Sequence, residues 1–504
     1  VLPEKTKLIV SKAFPDVNHI LSRQIPLIMP FLYVKNKHMS DKELLRKIPK
    51  VDEILKHHDW KKLIAAYPEG HAKDVLREIL DDLRKSIKKG EASSMPTIRE
   101  IILATEKGLI ASMSPRLKRV INGTGVIIHT NLGRSLLAES AIEAVINAAS
   151  HYTNLEYDLH QGIRGDRYDH STVILARLTG AEGSLVVNNN AAAVILILNT
   201  FADGKEVVVS RGELVEIGGS FRVPDVMKKS GALLREVGTT NRTYKEDYEK
   251  AIQENTGLLM KAHTSNFKIK GFTHATTIEE LIALGRQFGI PTYYDAGSGL
   301  VYPLHDRVFS DEPCIPAELA KGLDIISFSG DKLPGAPQAG IILGKKTYID
   351  MMKKNPLTRA LRPDKFTLAG LESTLLLYLD KETATREIPT LRMIHENKAV
   401  LKKEAQKIAR ILRTRCSNIS VTVVQLGSEV GGGTLPDVVI PSYGVGLKPH
   451  LISLEKFEAR LRSLKIPIIG RIEKNMFLLD MRTLLKDDRD PLVSGIETAL
   501  GDGE

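Results

Sequence analysis

From residue 120 onward, short apolar runs alternate with amphipathic stretches. Gly183-Ser184-Leu185-Val186-Val187 has the look of a buried strand and leads into Asn188-Asn189-Asn190-Ala191-Ala192-Ala193 and a helical run. Lys205 to Ser210, Pro291 to Asp295 and Asp324 to Phe328 read as further strands, with amphipathic helices such as Ile278 to Phe288 between them. This alternation predicts an α/β fold with a mostly parallel sheet covered on both faces. After about residue 376 the order changes. A helix from Lys398 to Arg413 precedes a strand from Ile419 to Gln425, then a helix from Leu454 to Leu464, then strands between about Ile468 and Asp480. That is a smaller α+β domain.

The N-terminal quarter has a third texture. Val75, Leu76, Ile79, Leu80, Leu83 and Ile87 share one helical face, and Gly90 supplies the stop. Ile98, Ile101, Ile102 and Leu109 repeat the pattern before the basic linker Pro115-Arg116-Leu117-Lys118-Arg119. The first 38 residues show no sustained period, and Met39-Ser40-Asp41-Lys42-Glu43-Leu44-Leu45 reads as a helix start. The expected division is a variable or poorly ordered extension over 1–38, a helical domain over 39–112, a large α/β core over 113–375 and the α+β domain over 376–504. No low-complexity tract or internal repeat interrupts it.

Composition narrows the class. The 504 residues, 42% hydrophobic and 26% charged, are those of an ordinary globular protein of more than one domain. Cys314 and Cys416 lie far apart with no CxxC or Cys/His cluster. That argues against a disulfide scaffold and a structural zinc site and leads us to expect a reducing, cytoplasmic setting. The nearest approach to a membrane span, Ile25 to Val34, is broken by Pro26 and Pro30. The net charge of +10 is uneven: residues 1–120 hold 24 basic and 15 acidic residues, whereas residues 121–504 hold 47 and 46. Such asymmetry suits a partner with a phosphate backbone, although charge alone fits a solvated basic face equally well.

Three features carry candidate chemistry. Ser327-Phe328-Ser329-Gly330-Asp331-Lys332, followed by Leu333-Pro334-Gly335-Ala336-Pro337-Gln338-Ala339-Gly340, puts a lysine just past a buried strand in a Gly- and Pro-rich turn. Lysine forms Schiff bases with carbonyls, and burial readily lowers its pKa. Tyr294-Asp295-Ala296-Gly297 ends another strand in a carboxylate. A pyridoxal-phosphate enzyme needs one to keep the pyridine nitrogen protonated. Asn188-Asn189-Asn190-Ala191 opens a helix after a strand, where free backbone amides bind phosphate. Each alone has a commonplace reading, as a loop lysine, a turn aspartate or an N-cap. The chain order of phosphate cradle, aspartate and lysine matches aminotransferase-like (fold type I) pyridoxal-phosphate enzymes.

Longer strings give a specific resemblance. Asn122-Gly123-Thr124-Gly125, His129-Thr130-Asn131-Leu132-Gly133-Arg134, Leu155-Glu156-Tyr157-Asp158-Leu159, Glu236-Val237-Gly238-Thr239-Thr240-Asn241-Arg242-Thr243, His263-Thr264-Ser265-Asn266-Phe267 and Pro467-Ile468-Ile469-Gly470-Arg471-Ile472 stand beside the lysine motif. From about Met39 to the C-terminus the sequence resembles the bacterial selenocysteine synthases, the L-seryl-tRNA(Sec) selenium transferases. It departs from that family at Pro334 and Ala336, usually Leu and Gly, and at Ala296, usually Leu.

The resemblance implies pyridoxal 5′-phosphate on Lys332, with Asp295 at the ring nitrogen. It implies conversion of seryl-tRNA(Sec) to selenocysteinyl-tRNA(Sec) with selenophosphate, through an aldimine and an aminoacrylyl intermediate. Cofactor contacts would come from Asn189, Asn190, Ala191, Ser329 and Asn266, with a turn role equally open for Asn266. Selenophosphate would meet Arg134, Arg359 and Arg362; Arg359-Ala360-Leu361-Arg362, if helical, puts two guanidiniums on one face. Arg164 and Arg167 would line the path of the tRNA end or form ion pairs. Arg471 suits packing or tRNA contact, and His263 suits the core. The basic N-terminal domain would hold the tRNA body, in a homodecamer built as a pentamer of dimers, with Thr239 and Thr240 at contacts between dimers. The sequence names no residue that stacks on the cofactor ring. The rival readings are a small-molecule pyridoxal-phosphate lyase of a sister family and a non-catalytic tRNA-binding protein.

Overall fold

The structure is a computed structural model and describes residues 41–91, 94–217, 221–303, 309 and 312–501. The extension expected over 1–38 lies outside the described residues. The chain divides into two compact units, up to Lys118 and from Arg119.

The first unit is helical: α1 (Asp41–Arg46), α2 (Val51–Lys56), α3 (His58–Ala66), α4 (Glu69–Lys88) and α5 (Ile98–Met113). The face read from the sequence, Val75, Leu76, Ile79, Leu80, Leu83 and Ile87, is buried. Leu76, Ile79 and Leu80 pack with Ile54, Trp60, Ile101 and Leu109. Thr97 caps α5, its hydroxyl accepting from the Glu100 amide at 3.3 Å while the Glu100 carboxylate accepts from the Thr97 amide at 2.7 Å. Residues 41–118 hold 17 basic and 13 acidic residues. On α4 the two signs are paired locally, Lys73 with Glu69 at 2.8 Å, Arg77 with Asp74 at 3.0 Å and Lys85 with Asp82 at 3.0 Å. The positive excess of this unit therefore does not lie on its longest helix.

The second unit is built on a seven-stranded sheet. Its strands are β1 (Gly183–Val187), β2 (Glu206–Ser210), β3 (Leu233–Val237), β4 (Thr256–Ala262), β5 (Thr292–Gly297), β6 (Ile325–Ser329) and β7 (Gly340–Gly344). Across the sheet they lie in the order β1-β7-β6-β5-β4-β2-β3. Only β7 runs against its neighbours. The helices used below are α6 (Glu139–Ser150), α7 (Asp169–Thr179), α8 (Asn190–Ala202), α9 (Ile278–Phe288), α10 (Leu357–Leu361) and α11 (Lys365–Leu377). Two large apolar clusters flank the sheet. One centres on α8 with Leu185, Val207 and Met260, the other on α11 with Val186, Ile326 and Phe328. Alternate residues of one strand thus feed opposite faces, as a sheet covered on both sides requires.

The C-terminal part holds α12 (Lys398–Arg415), then β8 (Ile419–Gly431) and β9 (Thr434–Pro449), then α13 (Leu454–Ser463), β10 (Arg471–Glu473), β11 (Met476–Asp480) and α14 (Arg489–Leu500). Its antiparallel sheet has the order β8-β9-β11-β10. The backbone of residues 121–128, which sequence places in the large α/β core, pairs with this part. Ile121 and Asn122 pair in parallel with Ile468 and Ile469, and the Ile128 amide donates to the Val430 carbonyl at 2.7 Å. Gly125 makes the crossing possible. Its φ is +80°, and a Cβ there would lie 2.4 Å from Asp480 Oδ2. Among the described residues no helix is long and apolar enough to cross a membrane.

Candidate active site

Three segments converge at one edge of the large sheet. Asp295 lies in β5 and Lys332 three residues beyond β6, on adjacent parallel strands whose register pairs Asp295 with Ser327. β1 is antiparallel to β7, and β7 to β6, so β1 runs with β6 and delivers the start of α8 to the same edge. Val187, Gly340 and Ser329 stand abreast across β1, β7 and β6. Gly340 is needed there, because a Cβ on it would lie 2.2 Å from the Asn189 carbonyl oxygen. The carboxyl ends of parallel strands are where open α/β sheets bind ligands.

Lys332 is 5% exposed. Burial lowers its pKa; the charge of Asp295 opposes this, and that of Arg134 adds to it. Burial raises the pKa of Asp295, offset first by a hydrogen bond from Asn190 and then by one from the Gly297 amide. Asn190 Nδ2 donates to Asp295 Oδ1 at 2.9 Å. The turn carrying Lys332 closes on itself, the Gly335 amide donating to the Lys332 carbonyl at 3.0 Å and the Ala336 amide to the Gly330 carbonyl at 2.9 Å. Tyr378 donates to the Pro334 carbonyl at 2.9 Å, and Ala336 and Ala296 are core residues. The three departures from the family pattern are thus absorbed by packing and by the turn's own hydrogen bonds.

Beside the lysine stands a pair that the sequence did not reveal. Arg134 donates to Asp331 Oδ2 at 2.7 Å, and Asp331 is buried. Arg134 has φ +65°, an unusual conformation for a long side chain, and follows Gly133 out of a short turn. Ser135, next to it, donates to the Lys332 carbonyl at 2.6 Å. A cavity of about 410 Å³ opens here, lined in part by Thr130, Arg134, Ser135, Asp331 and Gln338.

The other two arginines are arranged differently from the sequence expectation. α10 stops at Leu361, and Arg362 is its extended cap with ψ 141°, so Arg359 and Arg362 do not share a helical face. The cause is Pro363, which drives the preceding residue out of the helical region. Arg362 lies 3.6 Å from Glu156, which also binds Arg164 at 3.1 Å and Arg167 at 2.9 Å. Arg167 is buried and donates to the Pro363 carbonyl at 2.9 Å. The Leu361 carbonyl accepts from the Asn188 amide at 2.8 Å, tying this arginine cluster to the start of α8. Arg359 is exposed and, among the described residues, makes no ion pair.

Asn189 caps α8, its side chain accepting from the Ala192 amide at 2.9 Å. The amides of Asn190 and Ala191 open the helix and stay outside its hydrogen-bond ladder. Ser329 ends β6 and is buried. Asn266 is exposed and donates to the Glu216 carbonyl at 2.8 Å. The His263 amide donates to the Asp295 carbonyl at 2.8 Å, a positioning contact made by its backbone. Arg471 donates to the Gly427 carbonyl at 3.1 Å, inside the C-terminal part. Thr239 and Thr240 are exposed in a turn.

These groups fit pyridoxal phosphate. The buried Asn190 Oδ1 has no partner, although Nδ2 of the same amide is engaged. A buried carboxylate and a buried amine that both resist charging lie at one strand edge, beside a helix start that can receive a phosphate.

The sequence matches the family described as L-seryl-tRNA selenium transferase over residues 120–485, and that described as selenocysteine synthase N terminal over residues 45–84. It is 49% identical over 462 residues to an L-seryl-tRNA(Sec) selenium transferase of Clostridium botulinum (strain Okra / Type B1), covering 92% of this chain and 100% of that relative. It is 47% identical over 452 residues to the one from Carboxydothermus hydrogenoformans, covering 90% and 97%. Among solved structures, D-glucosaminate-6-phosphate ammonia-lyase aligns with TM-score 0.53 and 22% identity, over 77% of this chain and 99% of that one. At that identity the likeness shows the fold alone.

Proposed function

The chain belongs to the L-seryl-tRNA selenium transferase family and is a pyridoxal-phosphate-dependent selenium transferase; we propose that it works through Lys332, Asp295 and an arginine-lined anion site. Its substrates would be seryl-tRNA(Sec) and selenophosphate, and its product selenocysteinyl-tRNA(Sec). The observation that carries the assignment of residues is the convergence of buried Lys332, buried Asp295 and the start of α8 on one sheet edge.

Lys332 would hold the cofactor, Asp295 would hold a proton at its ring nitrogen, and the Asn190 and Ala191 amides would hold its phosphate, with Ser329 and Asn266 as further contacts. When bound there, pyridoxal phosphate supplies an electron sink for the pair left at the serine Cα when its proton is removed. The Lys332 amine, made a better base near neutrality by burial, takes that proton. The Asn190 hydrogen bond opposes, without cancelling, the rise in the Asp295 pKa that burial causes. The Arg134–Asp331 pair borders the cavity; there the serine β-hydroxyl would leave and the selenium donor would enter. Arg134, Arg359 and Arg362 would bind selenophosphate, since guanidinium pairs with phosphate through two parallel hydrogen bonds.

The first unit would hold the tRNA body, the enzyme would act in the cytoplasm, and the assembly would be a decamer of five dimers. Exposed Ile142 and Ile146 on α6, and exposed Leu159 and Ile163 on the hairpin that pairs Tyr157–Asp158 with Ile163–Arg164, support association. A sister-family lyase would not require the separate helical unit that precedes the core. The deciding experiment incubates the protein with seryl-tRNA(Sec) and selenophosphate and identifies the amino acid released from the tRNA. Selenocysteine is expected; serine alone, from protein with full cofactor loading, would overturn the reading.

A further inference from the structure

The charge balance of residues 121–504, close to neutral, hides one strongly basic element. α12 carries Lys398, Lys402, Lys403, Lys407, Arg410, Arg413 and Arg415 against a single acid, Glu404. Glu404 is itself bound to Arg489 at 2.6 Å. The helix buries Leu401, Ala405, Ile408, Ala409 and Leu412 against the C-terminal sheet. At 3.6 residues per turn, Lys403, Lys407 and Arg410 then follow one another along the opposite, solvent face, and all three are exposed. Among the described residues none of them forms an ion pair. The contrast is α4, where every basic residue but one has an acid three or four positions away in an ion pair.

The flank of this row is shaped as well as charged. β8 is an edge strand of its sheet, and α12 lies along it. Arg413 is fixed there, donating from Nε at 3.0 Å and from its terminal nitrogen at 2.7 Å to the Val421 carbonyl. Gln406, Arg410, Arg413, Thr414 and Val423 line a groove of about 400 Å³ between helix and strand. Cations without counter-charges, in a row, beside donors from Gln and Thr, are the makings of a phosphate-backbone contact.

Resting on the proposed function, we propose that the solvent face of α12 is a second tRNA contact. It would grip the phosphate backbone of seryl-tRNA(Sec) through Lys403, Lys407 and Arg410, with the α12–β8 groove taking one phosphate. Single positive charges that neutralise phosphates release counterions. The contact therefore adds affinity and salt dependence but no base reading. It would act on tRNA association and leave the cofactor site untouched.

The test uses the full-length holoenzyme with Lys403→Gln, Lys407→Gln and Arg410→Gln combined, and measures seryl-tRNA(Sec) binding as a function of salt. Loss of three contacts should lower the slope of log affinity against log salt by about 2 to 3, and affinity near 0.1 M salt by about tenfold or more. Cofactor absorbance should be unchanged. A control with Lys346→Gln and Arg386→Gln removes exposed basic residues already paired with Asp350 and Glu387, and should leave the slope as it was. An unchanged slope in the triple variant, with wild type binding tRNA, overturns the proposal. Failure of wild type to convert seryl-tRNA would instead overturn the functional reading.

A second measurement needs no variant. Lys403 and Lys407 of the wild-type holoenzyme should be acylated more slowly when seryl-tRNA(Sec) is bound. Equal rates with and without tRNA overturn the proposal, as does protection already present without tRNA, which would mark a contact between copies of the chain.

Discussion

Asn190 Nδ2 donates a 2.9 Å hydrogen bond to Asp295 Oδ1, and Asn190 is also the first residue of α8. One residue therefore joins the helix start proposed to hold the cofactor phosphate to the carboxylate proposed to serve its ring nitrogen. A hydrogen bond to a buried charged group is worth about 1.5–3 kcal/mol, or roughly ten- to a hundredfold in an equilibrium constant. Asn190→Leu should weaken cofactor affinity by about that factor, because burial then pushes the Asp295 carboxyl further toward its neutral form. Equilibrium dialysis of pyridoxal phosphate against the variant checks this, and unaltered affinity would show that Asp295 does not depend on Asn190.

Lys332 gives a pH prediction. Its pKa lies below the ordinary lysine range because burial disfavours the ammonium, while Asp295 pulls the other way. Only the neutral amine attacks the cofactor's aldehyde. The rate of cofactor uptake by the apoprotein should therefore rise with pH and reach half its maximum below the pH of an ordinary lysine. Asp295→Asn removes the opposing charge and should move that midpoint lower still. Stopped-flow absorbance over a pH series measures both, and a midpoint that rises in the variant would contradict the stated electrostatics.

The Arg134–Asp331 pair joins residues 197 positions apart. Arg134→Asn preserves a residue tolerant of φ +65° while removing the guanidinium. Uncompensated, buried Asp331 should lower stability by about 3 kcal/mol at most, the partial exposure of Arg134 keeping the cost at the low end for a broken pair. KM for selenophosphate should rise about tenfold or more if one charge-assisted contact is lost. Asp331→Asn in the same background should recover stability without recovering KM. Recovery of both would assign Arg134 a structural role alone.

Much of this site could be read in the sequence because its parts sit at strand ends. β1 spans the five residues expected, and α9 matches its expected bounds. Lys332, Asp295 and Asn190 each follow an apolar run that had to be a strand, so a parallel sheet brings them to one edge. What escaped has physical causes. β9 contains Pro436, Pro441 and Pro449 with Gly444 and Gly446, residues that normally punctuate strands, and its pairing with β8 and β11 outweighs them. Residues 121–128 join the C-terminal part through backbone pairing over more than 300 positions, which no local pattern encodes. Asp331 was in plain view beside the lysine, yet its partner Arg134 is set by tertiary structure. Arg362 could have been placed correctly, since Pro363 directly after it argues against a helical conformation.

Gly125 gives a stability prediction. Asp480 is fully buried and accepts from Ser428 at 2.9 Å and Ser442 at 2.6 Å, and a Cβ at Gly125 would meet its carboxylate. Gly125→Ala combines that overlap with a strained positive φ, each costing about 1–3 kcal/mol. Thermal unfolding should shift down by several degrees while any folded protein keeps its cofactor affinity. A variant as stable as wild type would show that the crossing at 121–128 adjusts freely.

Glu156 gathers three guanidiniums, those of Arg164, Arg167 and Arg362. Its pKa is held below the usual glutamate range, first by the Arg167 hydrogen bond and then by the charges of the three arginines, with burial opposing. A depressed carboxyl pKa contributes stability that is present above the unfolded value and is lost only as pH falls through the folded one. The cluster should therefore stay intact at mildly acidic pH and come apart below the ordinary glutamate range. Glu156→Gln mimics the protonated state at neutral pH. Arg167 keeps its bond to the Pro363 carbonyl, so the chain next to Arg362 stays in place while the guanidinium of Arg362 loses its carboxylate. If that guanidinium serves the incoming anion, KM for selenophosphate should change while cofactor affinity and tRNA affinity do not. A variant in which all three constants move together would show that Glu156 holds the site's framework rather than the orientation of one arginine.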